Sequence, residues 1–140
     1  MRSFLALFLS LFLMASAHAA DPTEAQRQAM QSVVGAQLEA FRDGRHADAF
    51  SYAAPSIQAM FGDVDTFIQM VRRGYAPVYS NKGFNFANSF TDTSGHFAQR
   101  VVIDAKDGKR YEALYTLLQL ADGSWKITSC TLLEITGEGV

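Results

Sequence analysis

The sequence predicts an α+β fold, with N-terminal helices packed on one face of a curved antiparallel sheet of about four strands. Three observations predict it. Apolar residues recur at steps of three and four between Met30 and Val71, the period of amphipathic helices. Beyond Tyr79 the period falls to two, as in half-buried strands. Asp107-Gly108 and Asp122-Gly123 punctuate the second half, and Asp-Gly between alternating apolar residues is a strong hairpin signal. Helices followed by strands, rather than alternating with them, suggest helices gathered on one face of an antiparallel sheet. A sheet that curls around a long helix leaves a cone-like cavity with a mouth at one end.

The chain opens with a different kind of segment. Met1-Arg2-Ser3 supplies a positive start, Phe4 to Ala15 is an apolar run, and Ala17-His18-Ala19 offers small residues at the positions a signal peptidase reads. That is the layout of a secretory signal peptide. The run is shorter than the roughly 20 apolar residues a membrane span needs. Residues 1–19 are therefore expected to be cleaved, leaving one α+β domain over residues 20–140, exported to a periplasm or secreted, with no stable membrane anchor. No cysteine follows the cleavage site for lipid attachment.

The helical half reads in order. Asp21 can cap a first helix and Pro22 suits its first position. Met30, Val33, Val34, Leu38 and Phe41 form its apolar stripe, and Asp43-Gly44 ends it. A short helix is expected over Arg45 to Tyr52, and another from Pro55 through Ile57, Met60 and Phe61 to the stop at Gly62. Asp63 or Asp65 caps the next, with Val64, Phe67, Ile68 and Val71 on its apolar face. Gly74 is a C-terminal stop, and Pro77 prevents continuation.

The strands follow. Phe84, Phe86 and Phe90 fall on one face of the first, and Asp92 to Gly95 is a turn. Phe97 to Ala105, Tyr111 to Leu120 and Trp125 to Ile135 complete an antiparallel meander. With two-residue loops at both Asp-Gly pairs, Arg100 lies opposite Tyr115, Val102 opposite Ala113, and Tyr115 opposite Cys130. One face then carries Phe97, Val101, Ile103, Leu114, Leu118, Trp125, Ile127 and Leu133. The other carries Arg100, Asp104, Tyr111, Tyr115, Lys126, Thr128, Cys130 and Glu134. A single bulge would exchange the faces beyond it.

Composition excludes several functions. The formal charge is −2, and the expected signal peptide carries one positive residue, Arg2, so the mature domain is more acidic still. Arg72-Arg73 is an isolated basic pair beyond it, a poor basis for binding nucleic acid or anionic lipid. Cys130 is the only cysteine, so no internal disulfide forms. It is expected as a small buried strand residue. His, Cys, Asp and Glu show no metal-ligand spacing, and neither a phosphate-cradling glycine loop nor a nucleophile elbow is present. No cofactor is expected. His46 and Asp48, two apart on a helix, point in different directions, and His96 reads as a solvated strand start.

A set of residues then becomes familiar. Ala53-Ala54-Pro55, Ile57 and Phe61-Gly62 are followed by Phe67, Met70-Val71-Arg72, Gly74-Tyr75 and Pro77-Val78-Tyr79. Later come Ala113-Leu114-Tyr115-Thr116 and Asp122-Gly123-Ser124-Trp125-Lys126-Ile127 with Cys130. Over about Asp21 to Leu133 the chain resembles the bacterial family catalogued as domain of unknown function 4864, which looks like a member of the nuclear-transport-factor-2-like, or cystatin-like, superfold. The resemblance implies three helices on a curved sheet and frequent dimerisation. It implies no activity, since the superfold hosts isomerases, dehydratases, cyclases and non-catalytic binding modules alike.

The catalytic relatives in that superfold need an enclosed carboxylate or His–Asp pair with an oxyanion stabiliser. Here Asp21, Asp43, Asp63, Asp92, Asp107 and Asp122 sit at caps and turns. Asp104 and Glu112 lie near a sheet end, and no catalytic residue is assigned. The aromatic set is more suggestive, because aromatic walls with a few polar tips make small-ligand pockets. Tyr52, Phe61, Tyr75 and Tyr79, with the cross-sheet row Arg100, Tyr115 and Cys130, are the candidate pocket. The sequence thus favours a non-catalytic module that binds a small apolar ligand or a protein, as a homodimer through the open sheet face. The alternative is an isomerase, dehydratase or cyclase in which Tyr115 and Arg100 polarise a substrate oxygen.

Overall fold

The structure, a computed structural model, describes residues 20–135. The segment read as a signal peptide lies outside the described residues. Helical segments come first: α1 (Glu24–Arg42), α2 (His46–Ser51), α3 (Pro55–Phe61), α4 (Val64–Gly74) and the four-residue α5 (Ala76–Tyr79). Then come β1 (Asn81–Thr91), β2 (Phe97–Ala105), β3 (Arg110–Gln119) and β4 (Trp125–Glu134). The strands pair antiparallel in sequence order, so the α+β meander expected from the sequence is the observed one.

One helix start differs from expectation, and one short helix is added to it. Thr23, not Asp21, caps α1, because it forms a capping box with Gln26: the Thr23 hydroxyl accepts from the Gln26 N–H and the Gln26 side chain accepts from the Thr23 N–H. Two orphan donors satisfied reciprocally outcompete a lone Asp cap. At the other end α4 stops at Gly74 as expected, and a one-turn helix the sequence did not predict, α5, follows it. Tyr75 breaks α4 at φ −136°, and Pro77 enters α5 within its first turn, where its missing N–H costs nothing.

The core lies between α1, α4 and one face of the sheet. Met30, Val34, Leu38 and Phe41 of α1 and Phe67, Ile68 and Val71 of α4 pack against Val101, Ile103, Ala113, Tyr115, Leu117, Trp125 and Ile127. The linker between α2 and α3 is stitched to β4. Ala53 forms a parallel bridge with Ile127, the Ile127 N–H donates to the Tyr52 carbonyl at 2.9 Å, and the Ala54 N–H donates to the Ile127 carbonyl at 2.8 Å. This clip ties the start of α3 to β4 at Ile127.

The hairpin loops correct the expected register. In the β2–β3 loop the Ala105 N–H donates to Lys109 and the Gly108 N–H donates to Ala105. Gly108 has φ 84°, which glycine adopts without the steric cost a Cβ imposes. That is a type I turn closed by a left-handed residue, one residue longer than a two-residue loop. Arg100 therefore pairs with Leu114 and Gln99 with Tyr115. One residue of slip exchanges faces along a strand. Ala113, Tyr115 and Leu117 are buried, whereas Leu118 is 36 % exposed and Leu133 69 %.

The β3–β4 loop adds the same extra residue, with Gly123 at φ 89° and the Leu120 N–H donating to Ser124. Here a bulge compensates. The register shifts between Thr116 and Leu117, leaving Thr128 extra between the pairs Thr116–Ser129 and Leu117–Ile127. Two offsets cancel, and Tyr115 does lie opposite Cys130.

A further irregularity between Phe86 and Ser89 turns β1 over. Phe84 and Phe86 pack on the core, but Phe90 lies under the Arg100 guanidinium, 5.3 Å from ring centre to the guanidinium carbon. Gln99, fully buried, fastens this bulge by donating to the carbonyls of Ala87 at 3.1 Å and Asn88 at 3.4 Å, while Ser89 donates to its side-chain oxygen.

Candidate functional site

A cavity of about 280 Å³ lies between the helices and the β3–β4 half of the sheet. Its helical wall is Gln37 and Phe41 of α1, Ile57, Met60 and Phe61 of α3, Phe67, Met70 and Val71 of α4, and Tyr75 and Val78. Its sheet wall is Tyr115 of β3 and Ile127 to Cys130 of β4, with Ala53 from the stitched linker. The helical periods that build the core also build this wall. Phe67 is its hub, in ring contact with Phe41 at 6.2 Å, Phe50 at 5.2 Å and Phe61 at 5.8 Å.

Of the sequence candidates, the cavity brings together Phe61, Tyr75, Tyr115 and Cys130. Tyr52, Tyr79 and Arg100 are not among its lining residues. Tyr52 contributes its backbone to the β4 clip. Tyr79 is held outside the wall: its hydroxyl accepts from Arg72 Nη2 at 2.7 Å and meets His46 Nε2 at 2.8 Å, and its ring lies under the Arg72 guanidinium. Arg100 is on the opposite face of the sheet, paired with Glu112 and covering Phe90. The expected Arg100–Tyr115–Cys130 row is thus broken at Arg100, because the longer β2–β3 loop puts Gln99 opposite Tyr115.

The remaining polar residues are accounted for. His46 does not pair with Asp48, which instead binds Arg45 at 3.0 Å. His96 Nδ1 meets Asp92 at 3.1 Å in an exposed turn. Gln37 lines the cavity but donates to the Ala49 carbonyl at 3.1 Å. Among the described residues no group of three or more His, Cys, Asp or Glu could hold a metal ion, and no helix is long and apolar enough to cross a membrane.

Tyr115 stands out. It is 1 % exposed, and its hydroxyl is buried with no close hydrogen-bond partner, the Cys130 thiol across the ladder interacting with it only weakly. Burial pushes its phenol well above the ordinary value, and the neighbouring Cys130 and then Tyr75 add to the shift. Burial likewise pushes the Cys130 thiol up to about 12, and its interaction with the Tyr115 hydroxyl acts in the opposite direction. Both groups are neutral across the physiological range. Cys130 is half-buried and lines the cavity. The site therefore offers an apolar enclosure, a neutral phenol and a neutral thiol. Among the described lining residues there is no Asp, Glu, His, Lys or Arg.

In the sequence Phe41, Ile57, Met60, Phe67 and Val71 are legible as apolar residues of the helices. No sequence signal separates an apolar residue that faces a neighbour from one that faces a void. Ala53, Thr128 and Ser129 reach the wall through the clip and the bulge, and neither is marked by a residue pattern.

A solved protein from Catenulispora acidiphila is similar in fold: 14 % identity over 79 % of this chain and 91 % of that one, with a TM-score of 0.50. Proteins of curated function give no match. The family model described as Domain of unknown function (DUF4864) matches residues 23–140, and the chain belongs to that family.

Proposed function

We propose that this chain is an exported, non-catalytic binding module that takes a small, largely apolar molecule between its helices and its sheet. The observation that carries the proposal is the cavity itself: about 280 Å³, walled by aromatic and aliphatic side chains with few polar tips. Small-ligand sites have this composition. A void lined by apolar atoms forfeits dispersion contacts that an occupant restores. Export rests on the first nineteen residues, whose charge, apolar run and small-residue cleavage site have signal-peptide layout. A second copy is proposed to pair through the outer sheet face, where Leu118 and Leu133 are exposed.

An isomerase, dehydratase or cyclase would need an acid or base within hydrogen-bond reach of the phenol that polarises its substrate. The carboxylates and imidazoles described above are committed to caps, turns and surface pairs, so binding without chemistry is preferred.

The test is native mass spectrometry of the full chain expressed with its own first nineteen residues and recovered from the periplasm. The expected spectrum is a dimer of chains beginning at Ala20, carrying added small-molecule mass. Chains that retain residues 1–19 would overturn export, and a monomer would overturn pairing. A bare mass with no uptake of added cumene would overturn ligand binding.

A further inference from the structure

Resting on the binding reading above, we infer that the cavity's ligand is an uncharged molecule of about ten non-hydrogen atoms whose one polar group is a hydrogen-bond acceptor, a ketone, aldehyde or ester carbonyl, received by the Tyr115 hydroxyl. Size comes from volume. An apolar cavity of roughly 150 Å³ takes up benzene, and this one has about 280 Å³. That accommodates one ring with a substituent within the walls.

The polarity follows from the wall. Most of the lining carbon is aromatic or aliphatic, and Gln37, the polar side chain from α1, already donates one of its two amide N–H groups to the Ala49 carbonyl. The Tyr115 oxygen is the buried side-chain polar atom of this wall left without a partner among the described residues. A buried polar group without a partner is rare in folded proteins, and each instance needs an explanation. A ligand acceptor supplies one. The phenol stays protonated and therefore donates. Its cross-strand neighbour Cys130 is a neutral thiol, a weak donor and a weak acceptor, which does not compete strongly for that proton.

Charge follows from the same residues. A carboxylate in this wall would lose its hydration and meet no Lys or Arg, and burying an unpaired charge is strongly unfavourable. The oxygen is covered at present, so the carbonyl reaches it by displacing part of the wall. Met60 and Met70 are the side chains suited to giving way. Both line the cavity, Met60 is 74 % exposed, and the unbranched thioether repacks readily. The helix that carries Met60, α3, has no buried residue.

Three probes of equal heavy-atom count and similar shape test this: acetophenone, cumene and benzoate. Their binding to the full chain and to Tyr115→Phe is measured by isothermal titration, with circular dichroism confirming that the variant is folded. Phe keeps the ring and removes only the oxygen. The expected result is that Tyr115→Phe weakens acetophenone about tenfold, the worth of one hydrogen bond, and leaves cumene unchanged. Benzoate binds neither protein. If acetophenone and cumene both bind but respond equally to the substitution, the acceptor inference is overturned while the cavity remains a binding site. If benzoate binds more tightly than acetophenone, the uncharged class is overturned. If neither neutral probe binds the unsubstituted chain, the cavity reading falls and takes this inference with it.

Discussion

Replacing Tyr115 by Phe should stabilise the protein, the reverse of the usual outcome for a buried tyrosine. In an ordinary core the phenol is hydrogen-bonded, and losing that bond costs about 1 kcal/mol. Tyr115 is 1 % exposed and its oxygen has no partner. Folding therefore strips water from the hydroxyl and returns at most a weak contact with the Cys130 thiol, a penalty of about 1–3 kcal/mol that Phe does not incur. Against this stands the small void left where the oxygen was. At roughly 24 cal/mol per Å³, a space the size of one oxygen costs a few tenths of a kcal/mol. The expected net gain is about 1 kcal/mol. Urea unfolding followed by Trp125 fluorescence reads it. With m-values of roughly 1–3 kcal/mol/M, the midpoint should rise by about 0.5 M with m unchanged. A midpoint that falls by a similar amount would refute the reasoning, because the hydroxyl would then have a partner in the free protein. Cys130, directly across the ladder, would be the first suspect.

Two further outcomes are expected. Gln99→Leu keeps the side chain's bulk but leaves the bulge carbonyls of Ala87 and Asn88 and the Ser89 hydroxyl without their shared partner, so the urea midpoint should correspond to a loss of about 2–3 kcal/mol; a loss below about 0.5 kcal/mol would mean that the bulge holds itself. Cys130, with its thiol pushed up to about 12, should react with iodoacetamide at pH 7.5 at least about a hundredfold more slowly in the native protein than in urea, as read by mass spectrometry; equal rates would contradict the enclosed neutral thiol.

The element order was legible because it depends on local periods and punctuation. The stripe from Met30 to Phe41, the stop at Gly74 and the Asp-Gly pairs each declare an element without help from the rest of the chain. Register was less legible, because it depends on one residue more or less. An Asp-Gly pair fits a two-residue loop, and it equally fits the last two positions of a type I turn with a left-handed closing glycine. At Gly108 the second geometry holds, and that single residue sends Leu114 outward and Tyr115 inward. Tyr115 and Cys130 were matched from the sequence only because a second extra residue, Thr128, offsets the second loop. Arg100 had no such compensation and left the row.

The bulge at Thr128 also explains why the site could not be read as a unit. Trp125 and Ile127 are inward, and strict alternation would continue with Ser129, Thr131 and Leu133, turning Cys130 away from the helices. The bulge interrupts this after Ile127, so Cys130 and Leu132 pack inward and Leu133 is left on the outer face. Three hydroxyls hold it there. Thr116 Oγ1 meets Thr128 Oγ1 at 2.7 Å and also meets Ser129 Oγ, across the ladder position at which the register changes. Thr and Ser in strands are ordinary, and nothing in their spacing marks them as a clamp. The same clip of Ala53 and Ala54 onto Ile127 that places α3 over the cavity lies one residue before the bulge. Cavity, thiol and covering helix thus depend on one short stretch of β4, Ile127 to Cys130. Its shape is set by cross-strand hydrogen bonds that become visible only once the strands are paired.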